Sequence, residues 1–217
     1  MELNKNKIKR GSIVIGLILL IYFFSQKLLI TKYFNLTGLS LREIYVFEKY
    51  FVQFIFGFIG IAILSRGQLW SYGINSSYFF KTAINIIFYA TIALIFYFLE
   101  NPISPGLNNN QNKIFYWLVN YLAIPISNIV FYIGFLQNYF VRDIVSQKIN
   151  LKYVEILTYS FVLIAFFINT IFVINFYGYY FSQMNIVVVL FSAIFYNRYN
   201  SIFIPLIGSV IAFMIYY

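Results

Sequence analysis

The chain has 217 residues, 62% hydrophobic and 10% charged, against about 25% charged in soluble domains, which excludes a sizeable water-soluble domain and points to a lipid bilayer. It contains no Cys and no His, so disulfides, thiolate nucleophiles, imidazole bases and imidazole metal ligands are all excluded. The net charge of +9 does not signal nucleic acid, because the basic residues stand singly at the ends of apolar runs, where topology and anionic headgroups account for them.

A bilayer-crossing helix needs roughly 20 apolar residues. Residues 1–10, with Lys5, Lys7, Lys9 and Arg10, read as a cytoplasmic tail. The run 11–30 is long enough to span and lacks a small-residue cleavage site, so it reads as a helix and not as a signal peptide. The second run is 44–64, with Glu48 and Lys49 marking an interfacial start, and the third is 80–99. The run 114–141 is too long for one straight crossing, and Pro125 interrupts it. Proline lacks a backbone donor and disfavours helix at the residue before it. Residues 114–124 are therefore expected to form a short interfacial or re-entrant approach, with the crossing helix starting at Pro125, a favoured first-turn position. The fifth, sixth and seventh runs are 153–174, 184–196 and 201–217.

Residues 101–113, with two prolines and a cluster of Asn, form the longest polar break and read as a loop. No internal repeat or linker divides the chain, so residues 1–217 are expected to form a single integral-membrane domain. The expected fold class is all-α, a polytopic membrane helix bundle of about seven transmembrane helices. Strands are not expected, because a lipid-spanning sheet must close into a barrel whose strands alternate polar and apolar, and these runs do not. A cytoplasmic N-terminus places ten basic residues inside against five outside, which sets the orientation.

One segment carries a pattern with chemistry in it. Pro125-Ile126-Ser127-Asn128-Ile129-Val130-Phe131-Tyr132-Ile133-Gly134-Phe135-Leu136 resembles the first motif of the CPBP family (CAAX-protease and bacteriocin-processing, or Abi, intramembrane proteases), Pro-x-x-Glu-Glu-x-x-(Phe/Tyr)-Arg-Gly-(Phe)-Leu. Pro125, Tyr132, Gly134, Phe135 and Leu136 fit that frame. Asn128 and Ile129 stand at the paired Glu positions, and Ile133 at the Arg position. Further on, Tyr196-Asn197-Arg198-Tyr199-Asn200-Ser201-Ile202, followed by Pro205, is similar to the turn before the family's last helix. On that register Ser209 falls at the family's final His and Phe213 at the Asn or Asp four residues later. The middle motif, Phe-x-x-x-His, is expected in 153–174, where Phe166 with Thr170, or the neighbouring Asn169, are the candidates. The resemblance covers residues 114–217; otherwise Pro125 and Gly134 are packing residues of an unrelated bundle.

The resemblance implies a scaffold without its chemistry. In the family one carboxylate activates water for attack on a peptide bond, which requires a proton acceptor held where water reaches it. Asn128 hydrogen-bonds but takes no proton, and Ile129 and Ile133 do neither. The expectation is a catalytically dead relative in a bacterial plasma membrane, with no cofactor and no metal. Besides the lipid bilayer, its expected partner is another membrane protein or a hydrophobic peptide, in bacteriocin immunity or maturation or as a scaffold. Two alternatives stand beside it: a small transporter or channel subunit, and an active intramembrane peptidase with an atypical site. Glu48, Glu100 and Glu155 lie near expected helix ends and read as solvated or paired. Asn85, Asn120, Asn169 and Asn175 read as amides that bridge helices.

Overall fold

The computed structural model describes residues 41–65, 68–69, 73–74, 84–100, 118–139, 151–177 and 183–216, with the side chains of 41–48, 64, 151–154 and 170–177 set aside; the runs 11–30 and 101–113 lie outside these. Among the described residues every regular element is helical: α1 (Leu41–Ser65), α2 (Ile84–Glu100), α3 (Val119–Gln137), α4 (Leu151–Tyr177), α5 (Gln183–Tyr199) and α6 (Phe203–Tyr216). The last three follow the apolar runs read from the sequence to within a turn.

Helix α3 corrects the expectation at Pro125. The chain does not restart there; one helix runs through the proline from Val119 to Gln137. It does so by changing its hydrogen-bond period. Residues Val119–Ala123 are π-helical, and the Ile124 N–H reaches back five residues to the Val119 carbonyl. A wider turn makes room for the pyrrolidine ring against the preceding backbone, the clash that breaks an ordinary α-helix. Ile124–Asn128 is α-helical with Pro125 in its first turn, and Ile129–Gln137 returns to π geometry.

Helix α3 is the axis of the bundle, with α1, α4, α5 and α6 packed around it and α2 laid on α5 and α6. Side-chain pairings give the directions. Gln53 meets Asn128 and Gly60 meets Phe135, so α1 runs parallel to α3. Asn169 meets Tyr132 while Tyr159, earlier in α4, lies level with Asn197 beside Gln137, so α4 runs antiparallel to α3. Tyr89 bonds Ser192 and Glu100 bonds the Gln183 N–H, which makes α2 antiparallel to α5. A tight turn at Asn200, with φ of 48°, reverses the chain into α6.

Two apolar cores result. The first gathers Ile61, Ile129, Tyr132, Ile133, Phe135, Val162, Phe166, Val189, Ala193 and Ile202 among α1, α3, α4 and α5. The second holds Tyr89, Ala93, Val119, Ile124, Met184, Val188, Ala212 and Phe213 among α2, α3, α5 and α6. The outer faces are apolar as well. Phe51, Phe54, Phe58, Ile59 and Ile63 on α1, Ile87, Leu94, Ile95 and Phe98 on α2, and Ile156, Ile164, Phe167 and Ile168 on α4 are exposed. Among the described residues one helix, Val119–Gln137, is long and apolar enough to cross a membrane by length and composition, and it is mostly buried by its neighbours.

Lys49 departs from its expected interfacial place. Helix α1 begins two turns earlier, at Leu41, and Lys49 lies on its inward stripe with Gln53, Gly57, Gly60 and Ile61, 4% exposed. That stripe lets two backbones close up. A Cβ added at Gly57 would sit 2.9 Å from the Phe131 Cα, a main-chain atom that side-chain rotation cannot move. Gly57→Ala is therefore expected to cost about 1–3 kcal/mol by overpacking. Ile59→Ala, on the exposed side of the same helix, should cost well under that; thermal unfolding of the two purified variants beside the native protein checks the contrast.

Candidate functional site

The positions singled out by the motif separate into three environments. Asn128 is buried on the α1-facing side of α3, and its side-chain carbonyl accepts a hydrogen bond from Gln53 Nε2 at 2.9 Å. The Gln53 carbonyl in turn accepts from Asn169 Nδ2 on α4 at 3.3 Å, and Asn169 also donates to the Tyr132 hydroxyl. Four polar side chains from α1, α3 and α4 thus form one connected cluster in an otherwise apolar interior. The Tyr132 ring is fixed from its other side by an edge-to-face contact with Phe166, centroids 5.3 Å apart. Asn128, Tyr132, Phe166 and Asn169, all named by the motif alignment, come together here. Gln53 joins them and is the member that sequence reading missed; its only signal was an amide inside an apolar run, as for the asparagines.

Ile129 and Ile133 face elsewhere. Both are fully buried in the first core and touch no part of the amide cluster's hydrogen bonding. Adjacent helix positions point about 100° apart, so Asn128 and Ile129 point in different directions, although Tyr132 of the amide cluster packs in the same core as Ile129. Ser209 and Phe213 are also apart from it. The Ser209 hydroxyl donates to the Leu206 carbonyl of its own helix at 3.0 Å, and Phe213 belongs to the second core. Thr170 lies on α4, and its side chain falls outside the described residues. Helix α6 does pack against the Ile124–Asn128 turn of α3, so the final helix neighbours the first motif, while the hydroxyl at 209 is turned to its own backbone.

A second polar cluster sits at the far end of α3. Gln137 Nε2 donates to the Ala193 carbonyl at 3.0 Å and to Asn197 Oδ1 at 2.7 Å, and Asn197 Nδ2 donates to the Tyr159 hydroxyl at 3.2 Å. Asn138 and Tyr196 exchange two hydrogen bonds, Nδ2 to the hydroxyl at 2.7 Å and hydroxyl to Oδ1 at 2.9 Å. These residues fasten α3 to α5. Two smaller ties join other helices. Tyr89 and Ser192 share a hydrogen bond of 2.9 Å between α2 and α5. The Glu100 carboxylate accepts from the Gln183 N–H at 3.0 Å and from the Tyr216 hydroxyl, gathering the ends of α2, α5 and α6. A carboxylate at a helix N-terminus is favoured both by the free N–H groups and by the dipole.

The Asn128 cluster is built from neutral hydrogen-bonding groups. Its three amides and one phenol donate and accept hydrogen bonds, and the amides take no proton at neutral pH. Among the described residues no group of three or more His, Cys, Asp or Glu side chains converges to hold a metal ion. Comparison with family models, with curated proteins and with solved structures gives no match for this chain.

Removing one member of the cluster leaves its partner desolvated without a bond, at about 1–3 kcal/mol. Gln53→Leu and Asn128→Leu are each expected to destabilise, and the double variant to lose less than the two singles combined. Equilibrium unfolding of the four proteins should return a coupling within the roughly 0.5–3 kcal/mol range of contacting pairs.

Proposed function

We propose that this chain is a membrane-embedded helix bundle that binds a hydrophobic peptide or a segment of another membrane protein without cutting it. The observation that carries the reading is the state of the motif positions: Asn128 is hydrogen-bonded to Gln53, while Ile129 and Ile133 are sealed into apolar core. An amide-hydrolysing site needs a base within reach of a water and donors aimed at the developing oxyanion. A bundle whose interior amides are paired with one another and whose outer faces are apolar is suited instead to packing against another polypeptide segment, since association in lipid relies on packing and interhelical hydrogen bonds.

The setting follows from the surface. Apolar side chains exposed on α1, α2 and α4 form a perimeter that water would penalise and lipid would not. The helices alternate in direction along the chain in the sense expected of successive crossings, with the N-terminus cytoplasmic. The bundle of about seven crossings would include the run 11–30. The frame residues Pro125, Tyr132, Gly134, Phe135 and Leu136, and the turn from Tyr196 to Pro205, support a degenerate CPBP-type protein of a bacterial plasma membrane. In that family such a protein has its place beside peptide bacteriocins, in immunity or maturation, or as a scaffold for membrane enzymes.

Two experiments test this. Purified full-length protein, incubated with labelled peptides with and without divalent metal, is expected to show no turnover. Affinity capture from the native membrane is expected to return a stoichiometric partner; a protein that comes out alone and monomeric would end the reading. The motif positions also differ in what they tolerate. Asn128→Glu keeps an acceptor for Gln53 and should fold. Ile129→Glu places a carboxylate in a dry core, an effective cost of several kcal/mol, and should lower the yield of folded protein sharply on size-exclusion chromatography.

A further inference from the structure

A second polar group lies on the same stripe of α1 as Gln53, one helical turn before it. Lys49 is 4% exposed, although lysine ordinarily carries its charged end out to water on a flexible stem. Its Nζ stands over the Tyr50 ring, 4.5 Å from the centroid. Among the described residues it meets no carboxylate. The positions that share its face at three and four residues' distance are Tyr45, Val46, Val52 and Gln53, none of them acidic. The chain has only six acids. Glu100 is committed to Gln183 and Tyr216, and Glu155 is exposed on α4; the side chains of Glu2, Glu43, Glu48 and Asp143 lie outside the described residues.

A desolvated cation is expensive unless an anion or several hydrogen-bond acceptors compensate it, and an aromatic face supplies only part of that. The Gln53 carboxamide is engaged elsewhere, its oxygen accepting from Asn169 and its nitrogen donating to Asn128. We propose that Lys49 is the anchor of a binding site for the C-terminal carboxylate of the bound polypeptide. The carboxylate sits against Nζ above the Gln53–Asn128 pair. A single positive charge among neutral amides matches a single negative charge. The proposal rests on the peptide-binding reading above and names the group that the site selects.

The test uses full-length protein in nanodiscs of phosphatidylcholine alone. The probes are one fluorescent hydrophobic peptide with a free C-terminal carboxylate and the same peptide with a C-terminal amide. Native protein is expected to bind the carboxylate form roughly tenfold or more tighter, the scale of a charge-assisted hydrogen bond. Lys49→Met should bind both forms alike, and Lys49→Arg should retain the preference. Replacing a buried cation with an apolar chain of similar length is often neutral or stabilising, so Lys49→Met without peptide should melt no lower than native protein. Equal affinity of native protein for the two peptides would overturn the proposal, and this comparison needs no variant to fold. A preference that survives in Lys49→Met would overturn it too. Loss of the preference in native protein when phosphatidylglycerol is added would assign the site to a lipid phosphate and overturn the peptide assignment. Native protein that captures its membrane partner yet treats both peptides alike loses this inference alone; native protein that captures nothing loses the binding reading with it.

Discussion

The bundle depends on how closely α1 and α3 approach. At Gly57 the two backbones are near enough that a single methyl group would meet the Phe131 Cα, and at Gly60 the absent side chain is replaced by the Phe135 ring. In the bilayer setting proposed above, helices gain little from hydrophobic burial, and close packing and hydrogen bonds carry the association. This proximity places the Gln53 side chain against Asn128 and brings Ile61 onto the face left open by Gly134. The same logic recurs where Gly208 admits the Tyr89 ring. Phe135 and Tyr89 lie close against a neighbouring helix because a glycine faces each.

The polar interior follows from the same constraint. An amide surrounded by aliphatic and aromatic groups has to find another polar group, since leaving it unbonded costs more than the bond is worth. Gln53, Asn128, Asn169 and Tyr132 satisfy one another across α1, α3 and α4, and Gln137, Asn197 and Tyr159 do so across α3, α5 and α4. Each cluster restrains the rotation of its helices, because turning one helix by a single residue would break the bonds that helix makes. The π geometry of α3 belongs to this arrangement. It carries the helix past Pro125 and alters the angular step between successive side chains, so that Asn128 and Tyr132 reach α1 and α4 while Gln137 reaches α5.

The helices themselves were legible because their signal is local. Apolar runs bounded by charged or asparagine-rich breaks mark α4, α5 and α6 to within a turn, and backbone hydrogen bonding in an apolar chain leaves few other choices. The turn between α5 and α6 was read only through the resemblance over Tyr196–Ile202; it falls at Asn200, and Pro205 lies in the first turn of α6. The break at Pro125 was misjudged: proline removes one hydrogen bond, but whether the chain ends or widens there depends on the neighbours that hold it, and α1, α4, α5 and α6 hold it as one helix. Lys49 was misplaced for a related reason. A lysine near the start of an apolar run ordinarily marks an interface; only the start of α1 at Leu41 and the inward stripe place it inside.

Sequence alone therefore determined the helical class, the absence of histidine and cysteine chemistry, and the amide and isoleucine side chains at the positions where the motif that the segment resembles carries acids and arginine. These are properties of residue type and short-range pattern, and no packing arrangement alters them. Tertiary structure decided which of those side chains meet. Asn128 and Asn169 are joined through Gln53, a residue with no motif to mark it, while Ile129, Ser209 and Phe213 are drawn into other surroundings. Side chains far apart in sequence meet only through the relative rotation and depth of whole helices, which glycine contacts and shared hydrogen bonds set together and no single stretch of sequence encodes.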